Sequence, residues 1–216
     1  MIRDMNDLKP KILNAFGRKD YVPANVPELL RLLRLPPARQ QDLQRVLREL
    51  EQAGDIVRTK GNRYIQSQEA DLVPGRIRMN RQGKGFLQPD DITLQEIAIP
   101  ESATGTALHE DRVLVRRDVR AIGLRTAVTE PGTGSVVRIL ERRRTQIVGT
   151  LQRSRQFVYV IPDDPRIPHD IYVTEPRDVG RPARVGDKVV VELREWESRH
   201  TNPEGEIVEV LGAADA

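Results

Sequence analysis

The residues of this chain best suited to chemistry are rings and cations set at strand spacing. Phe157 and Tyr159 are two positions apart, which on an extended strand places both on one face. Tyr172 follows on the next apolar segment, and Arg153 and Arg155 stand just ahead of them. Far upstream, Phe86 lies among Arg76, Arg78, Arg81 and Lys84. Exposed rings give nucleobases a surface to stack on, at ~1–3 kcal/mol per base, while guanidinium and ammonium groups follow the phosphates. The expectation is a nucleic-acid-binding surface, with a stacking platform at Phe157, Tyr159 and Tyr172 and a more cationic groove around Phe86. The competing reading of each ring is a place in an apolar core.

Nothing equipped to break bonds accompanies these residues. His109, His169 and His200 are scattered without the spacing of zinc ligands. There is no Cys, and no nucleophile elbow, phosphate loop or dinucleotide fingerprint occurs. The pairs Asp90/Asp91 and Asp163/Asp164 each follow a Pro, so a strand-ending turn is a better reading than a metal site. The chain itself is expected to be non-catalytic and to carry no cofactor or metal. No apolar run approaches the ~20 residues of a membrane span. Together with the absence of Cys and of a signal-peptide core, this suggests a soluble, cytoplasmic protein with no membrane partner.

The elements that must position these residues recur. GRIRMNRQGKGFLQPDD from Gly75 to Asp91 returns in degraded form as GTLQRSRQFVYVIPDD from Gly149 to Asp164. IAIP at Ile97 to Pro100 is followed by IYVT at Ile171 to Thr174, DRVLV at Asp111 by DKVVV at Asp187, and GSVVRIL at Gly134 by GEIVEVL at Gly205. Four segments in one order at a nearly constant offset of about 70 residues make two copies of one domain. Short Val- and Ile-rich runs alternate with Gly, Pro and Asp clusters, which gives five strands per copy. In the first copy they are expected near Arg76 to Met79, Gly85 to Pro89, Glu96 to Ile99, Arg112 to Arg116 and Ser135 to Glu141. Five short antiparallel strands with a long connection before the last suit a small oligonucleotide-binding (OB) type barrel.

Ahead of the repeat, Leu8, Ile12, Leu13 and Phe16 follow the helical period, and a second helix is expected around Val26 to Arg34. A third runs from about Pro37 to Ala53, with Leu43, Val46, Leu47 and Leu50 as its core stripe and Gly54 as its stop. DIVRTKGNRYIQ then reads as two strands around a turn at Lys60 to Asn62. Three helices and a hairpin are the order of a winged helix-turn-helix. The fold class is therefore α+β and multidomain, with a winged helix over 1–70 followed by tandem five-stranded antiparallel OB-type barrels over 71–146 and 147–216. Gln41, Arg45, Arg48 and Gln52 oppose the apolar stripe, and Arg58, Lys60 and Arg63 decorate the hairpin, where they could meet nucleic acid. A solvated face or a protein-docking surface explains them equally well.

The net charge of +3 conceals an asymmetry, with +4 over 1–70, +3 over 71–146 and −4 over 147–216. A basic front suits a polyanion, because neutralised phosphates release counterions. The connection from Asp118 to Gly134 carries Arg120 and Arg125 beside Arg116 and Arg117. Such a loop borders the binding face of an OB fold, so these arginines are expected to reach phosphates when it closes over a bound strand, and a solvated loop that merely caps the barrel end explains them equally well.

Gly83, Lys84, Gly85, Phe86 and Leu87 resemble the first RNA-binding motif of cold-shock domains, with Lys84 where that motif usually has a ring. IAIP resembles the second motif, with Ala98 in place of an aromatic. A winged helix ending in GNRY, then two cold-shock-like barrels closing on GEIVEVLG, resembles the N-terminal region of the ribonuclease R family, from about Leu8 to Gly212. The resemblance implies modules that capture RNA, mainly single-stranded and with little sequence preference. They would feed it to a hydrolytic 3′-to-5′ exoribonuclease domain whose Mg²⁺-binding aspartates this chain lacks. The alternative is a stand-alone winged-helix regulator reading duplex DNA.

Overall fold

The computed structural model describes residues 7–118, 132–174 and 180–214. It is α+β, with three helices and a hairpin ahead of two OB-like five-stranded β structures.

Helices α1 (Leu8–Phe16), α2 (Val26–Leu32) and α3 (Gln40–Ala53) enclose Leu8, Ile12, Phe16, Leu29, Leu43, Leu47 and Leu50 together with Ile56 of the hairpin. A capping box sets the start of α2. Asn25 Oδ1 accepts the Glu28 N–H at 3.0 Å, and Glu28 Oε2 accepts the Asn25 N–H at 2.9 Å. The second helix is shorter than its apolar period suggests, because Arg34 turns to a positive φ of 53°. Pro37–Arg39 form a 3-10 turn ahead of α3 rather than its first turn. Strands β1 (Ile56–Thr59) and β2 (Arg63–Gln66) pair antiparallel around Lys60 to Asn62.

Strands β3 (Leu72–Met79), β4 (Gly85–Pro89), β5 (Ile97–Ile99), β6 (Arg112–Arg117) and β7 (Gly134–Glu141) form a sheet in the order β5-β4-β3-β6-β7. It curls until Ala98 meets Thr133 in a single parallel bridge, with the Ala98 N–H on the Gly132 carbonyl at 2.8 Å. The second copy closes fully. Strands β8 (Gln146–Arg153), β9 (Val158–Pro162), β10 (Ile171–Val173), β11 (Asp187–Leu193) and β12 (Glu204–Ala213) make a barrel sealed by parallel pairing of Tyr172 with Glu204. Corresponding details recur in both copies. Two register shifts interrupt β6–β7, between Arg112 and Val113 and between Leu114 and Val115. Two more interrupt β11–β12, between Lys188 and Val189 and between Val190 and Val191. A Cβ on Gly75 would lie 2.3 Å from the Gln88 carbonyl oxygen, and one on Gly149 would lie 2.4 Å from that of Ile161. The glycine that opens each repeat is thus where neighbouring strands approach too closely for a side chain. Val73, Ile77, Leu87, Ile99, Val113 and Val115 fill the first copy, and Ile147, Leu151, Val160, Ile171, Val189 and Val191 the second.

The helical module sits on the first copy through the end of α3. Arg112 and Arg138 donate to the carbonyls of Ala53 and Glu51. Cations from another module thus meet carbonyls at the negative end of the helix dipole.

Candidate nucleic-acid interface

Alternation along the strands of the second copy decides what faces solvent. Ile147, Gly149 and Leu151 of β8 and Ile171 and Val173 of β10 point inward, which leaves Tyr159 and Tyr172 outward on paired positions of β9 and β10. Phe157 precedes β9 on the same side and is 54% exposed, so the reading of it as a core residue fails. The Phe157 and Tyr172 rings meet edge to face at 5.5 Å, and Tyr159 and Tyr172 are tilted at 6.5 Å. Gln156, Phe157, Val158, Tyr172, Val173 and Glu204 line an open groove of about 600 Å³ beside them. Arg153 ends β8 and Arg155 lies on the turn that leads into Phe157, both exposed. A flat base can enter such a groove and stack, because one ring is largely solvated while the other two hold its place.

On the first copy, Gly85 and Leu87 of β4 point inward, while Lys84 and Phe86 point outward beside Arg76 and Arg78 of β3. Phe86 pairs with Ala98 where Tyr159 pairs with Tyr172. Lys84, Phe86 and Ala98 therefore occupy the places of Phe157, Tyr159 and Tyr172. The half-buried Phe86 ring has Lys84 Nζ at 5.2 Å from its centroid, a cation–π contact. Arg78 pairs with Glu96 at 2.7 Å, and Arg76 donates to the Glu110 carbonyl at 2.8 Å. Arg81 is exposed on the turn that Asn80 organises by accepting the N–H groups of Gln82 and Lys84, each at 2.9 Å. This face offers charge around one ring, whereas the second copy offers three rings.

The other residues singled out from the sequence are spread more widely. Arg116 is exposed on β6, and Arg117 lies 3.8 Å from Asp71. Arg120 and Arg125 lie outside the described residues. Gln41, Arg45, Arg48 and Lys60 are exposed on α3 and the hairpin turn. Arg58 pairs with Glu51 at 3.5 Å. Arg63 grips Glu28 through two bonds of 2.8 and 3.0 Å and the Pro23 carbonyl at 2.7 Å, so its fork fastens the hairpin to α2.

The aspartate pairs close turns. Asp91 accepts the Thr93 N–H and hydroxyl, and Asp164 accepts Arg166 through Nε and Nη2, each at 2.8 Å. Those guanidinium bonds hold the Asp164 carboxyl down at about 2. Asp90 and Asp163 pair with Arg112 and Lys188 at equivalent places. Among the described residues, no group of His, Asp and Glu is placed to hold a metal ion. Burial keeps His109 below its ordinary pKa, and its Nδ1 accepts the Met79 N–H at 3.0 Å.

Comparison with known proteins follows the same division. The family model of the ribonuclease B OB domain matches residues 75–126, and that of the cold shock domain matches residues 159–216. Ribonuclease R of Thermotoga maritima is 36% identical over 98% of this chain and 28% of its own length. Ribonuclease R of Vibrio cholerae is 34% identical over 88% of this chain and 23% of its own. The fold matches that of Mycoplasma genitalium RNase R, solved in complex with ribose methylated single-stranded RNA. The TM-score is 0.54 at 18% identity, covering 66% of this chain and 22% of that one. The chain spans about a quarter of the length of the curated relatives it matches. With its repeat, its two matching domain models and relatives aligned along nearly all of it, the chain is similar over nearly its whole length to part of the ribonuclease R proteins.

Proposed function

We propose that this chain is the RNA-capturing region of a 3′-to-5′ exoribonuclease, built as a winged helix and two tandem cold-shock-like OB modules over 1–70, 71–146 and 147–216. It binds single-stranded RNA with little sequence preference and feeds it to a catalytic domain that holds the Mg²⁺ and cleaves the phosphodiester, in the cytoplasm. The observation that carries this reading is the solvated cluster of Phe157, Tyr159 and Tyr172, with Arg153 and Arg155 at its edge. Stacking of this kind accepts any base, since each has a π-face. The exposed cations of the first copy, Arg76, Arg78, Arg81 and Lys84, add backbone attraction that depends on salt. Arg116 and Arg117, with Arg120 and Arg125 of the following loop, extend that attraction. The single-stranded RNA bound by the Mycoplasma genitalium relative is consistent with this choice of polymer.

Fluorescence anisotropy at two salt concentrations tests it, with single-stranded RNA of several mixed sequences set against duplex DNA of equal length. RNA is expected to bind more tightly, with little spread among sequences. Neutralising Arg76, Arg78, Arg81 and Lys84 together should lower the salt slope by ~0.7 for each phosphate that is no longer paired with a cation. Preference for duplex DNA would overturn the proposal and favour a regulator acting through its helical module.

A further inference from the structure

Ala107 and Leu108 are adjacent in the connection between β5 and β6, yet they enter different cores. Ala107 packs with Ile77, Leu87 and Val113 of the first copy, whereas Leu108, 6% exposed, packs with Ile147, Leu151 and Val189 of the second. Three residues on, Asp111 is fully buried. Its Oδ2 accepts the Leu108 N–H at 2.8 Å and Arg142 Nη1 at 2.6 Å, and its Oδ1 accepts the Arg143 N–H at 3.0 Å. Arg142 lies in the short link between β7 and β8, and it also donates to the Thr106 carbonyl at 2.6 Å and the Thr106 hydroxyl at 3.3 Å. Asp187, the counterpart of Asp111 in the repeat, accepts the Arg184 N–H at 2.9 Å and has Arg181 at 3.8 Å, both from its own copy. The first copy therefore holds a lock built on the same aspartate but extended to the link. Arg199, beyond β11, donates to the Glu101 carbonyl and adds a second point of contact.

We infer that Leu108, Asp111 and Arg142 are positioning residues that join the two copies into one rigid unit. The ring cluster at Phe157 and the cationic face at Phe86 are thereby held at a fixed offset along a single RNA strand. This rests on the RNA-binding reading, but the lock itself has a readout without RNA. A buried ion pair broken on one side leaves an uncompensated charge, so the geometry is strongly defined. Two binding faces held in register make the second contact intramolecular, which raises affinity for a strand long enough to reach both.

Because the chain has no Cys, Gln88→Cys with Glu209→Cys, at exposed positions of β4 and β12, gives a clean pair of spin-label sites on the two copies for measuring a distance distribution. One narrow distance is expected in the parent chain. It should persist when a flexible Gly-Ser segment is inserted between Arg144 and Thr145, and it should broaden in Leu108→Ala/Arg142→Gln. In unlabelled protein that double variant should keep its affinity for RNA of about 4 nucleotides and lose about tenfold for RNA of about 16. Arg142→Lys should restore part of that loss. A broad distribution in the parent, or broadening by the insertion alone, would overturn the lock even if the double variant failed to fold. An unchanged ratio between long and short RNA in a folded double variant would overturn its role in binding. If the parent bound neither RNA, the RNA reading would fall, and the distances would still decide whether the copies are locked.

Discussion

Removing the Phe157 ring should separate binding from folding more cleanly than any other change. The ring is 54% exposed, and among the described residues its close aromatic partner is Tyr172 at 5.5 Å. An edge-to-face pair contributes ~0.5–1.5 kcal/mol, which bounds what Phe157→Ala takes from stability through that pair. A stacked base is worth ~1–3 kcal/mol, and 1.4 kcal/mol is tenfold, so RNA affinity should fall by about 5- to 140-fold. Tyr172→Ala should cost a similar factor. The double variant should lose less than the product of the two, because a base held by both rings is lost once. The salt slope should not move, since no phosphate-binding cation is removed. The repeat supplies the reciprocal experiment, because Lys84 and Ala98 stand where the second copy has Phe157 and Tyr172. Lys84→Phe with Ala98→Tyr should strengthen binding and reduce the salt slope by ~0.7 for the missing cation. Anisotropy titrations at three salt concentrations, with circular dichroism as the check on folding, measure all of this. Affinity within twofold of the parent for Phe157→Ala, or a loss that disappears at high salt, would refute the stacking argument.

Two further outcomes concern stability. Gly54 ends α3 at a φ of +81°, and a Cβ there would lie 2.7 Å from Leu140 Cδ1 and 3.1 Å from Pro74 Cβ. Gly54→Ala should therefore add a wedge between modules to a backbone cost of ~1–2 kcal/mol. The backbone part alone lowers the thermal midpoint by about 2–8 °C. Gly61→Ala, at a φ of +76° with nothing within 4 Å, should show the backbone cost only, and equal shifts in the two variants would refute the wedge. For Asp164, the folded carboxyl titrates at about 2 against an ordinary 3.8. Its contribution is thus present above 3.8 and lost as pH falls from 3.8 towards about 2. Urea midpoints across that window should drop less steeply in Arg166→Ala than in the parent, and parallel drops would show that the Arg166 pair is not the cause.

What could be read from the residues alone was whatever repeats or alternates. The equal places of Gly75 and Gly149, of Asp111 and Asp187, and of Gly134 and Gly205 gave ten strands in the right order, because strand pairing imposes the same steric demands on both copies. Period two also put Phe157 and Tyr159 on one face, whereas the outward turn of that face and the place of Tyr172 on it come from burial and from the pairing of β9 with β10. The first strand escaped in part, since Leu72 and Val73 precede the repeated glycine and join β3 through Arg116 and Val115, partners far along the chain. The cations were harder to read, because charge type does not reveal the partner. Arg63 was expected to decorate the hairpin where it could meet nucleic acid, whereas Glu28, 35 residues away, takes its fork. Arg142 carried no signal in the sequence, since it meets Asp111 over 31 residues. Its aspartate was visible as the first letter of DRVLV, yet only burial turns a repeated turn residue into the anchor of a joint. The same limit bears on binding, because a guanidinium already bonded to protein must give up that bond to reach a phosphate, and an exposed ring gives up only water. The rings of the second copy are therefore the stronger basis for assigning RNA contact, and the cations of the first copy are better judged by salt dependence than by their number.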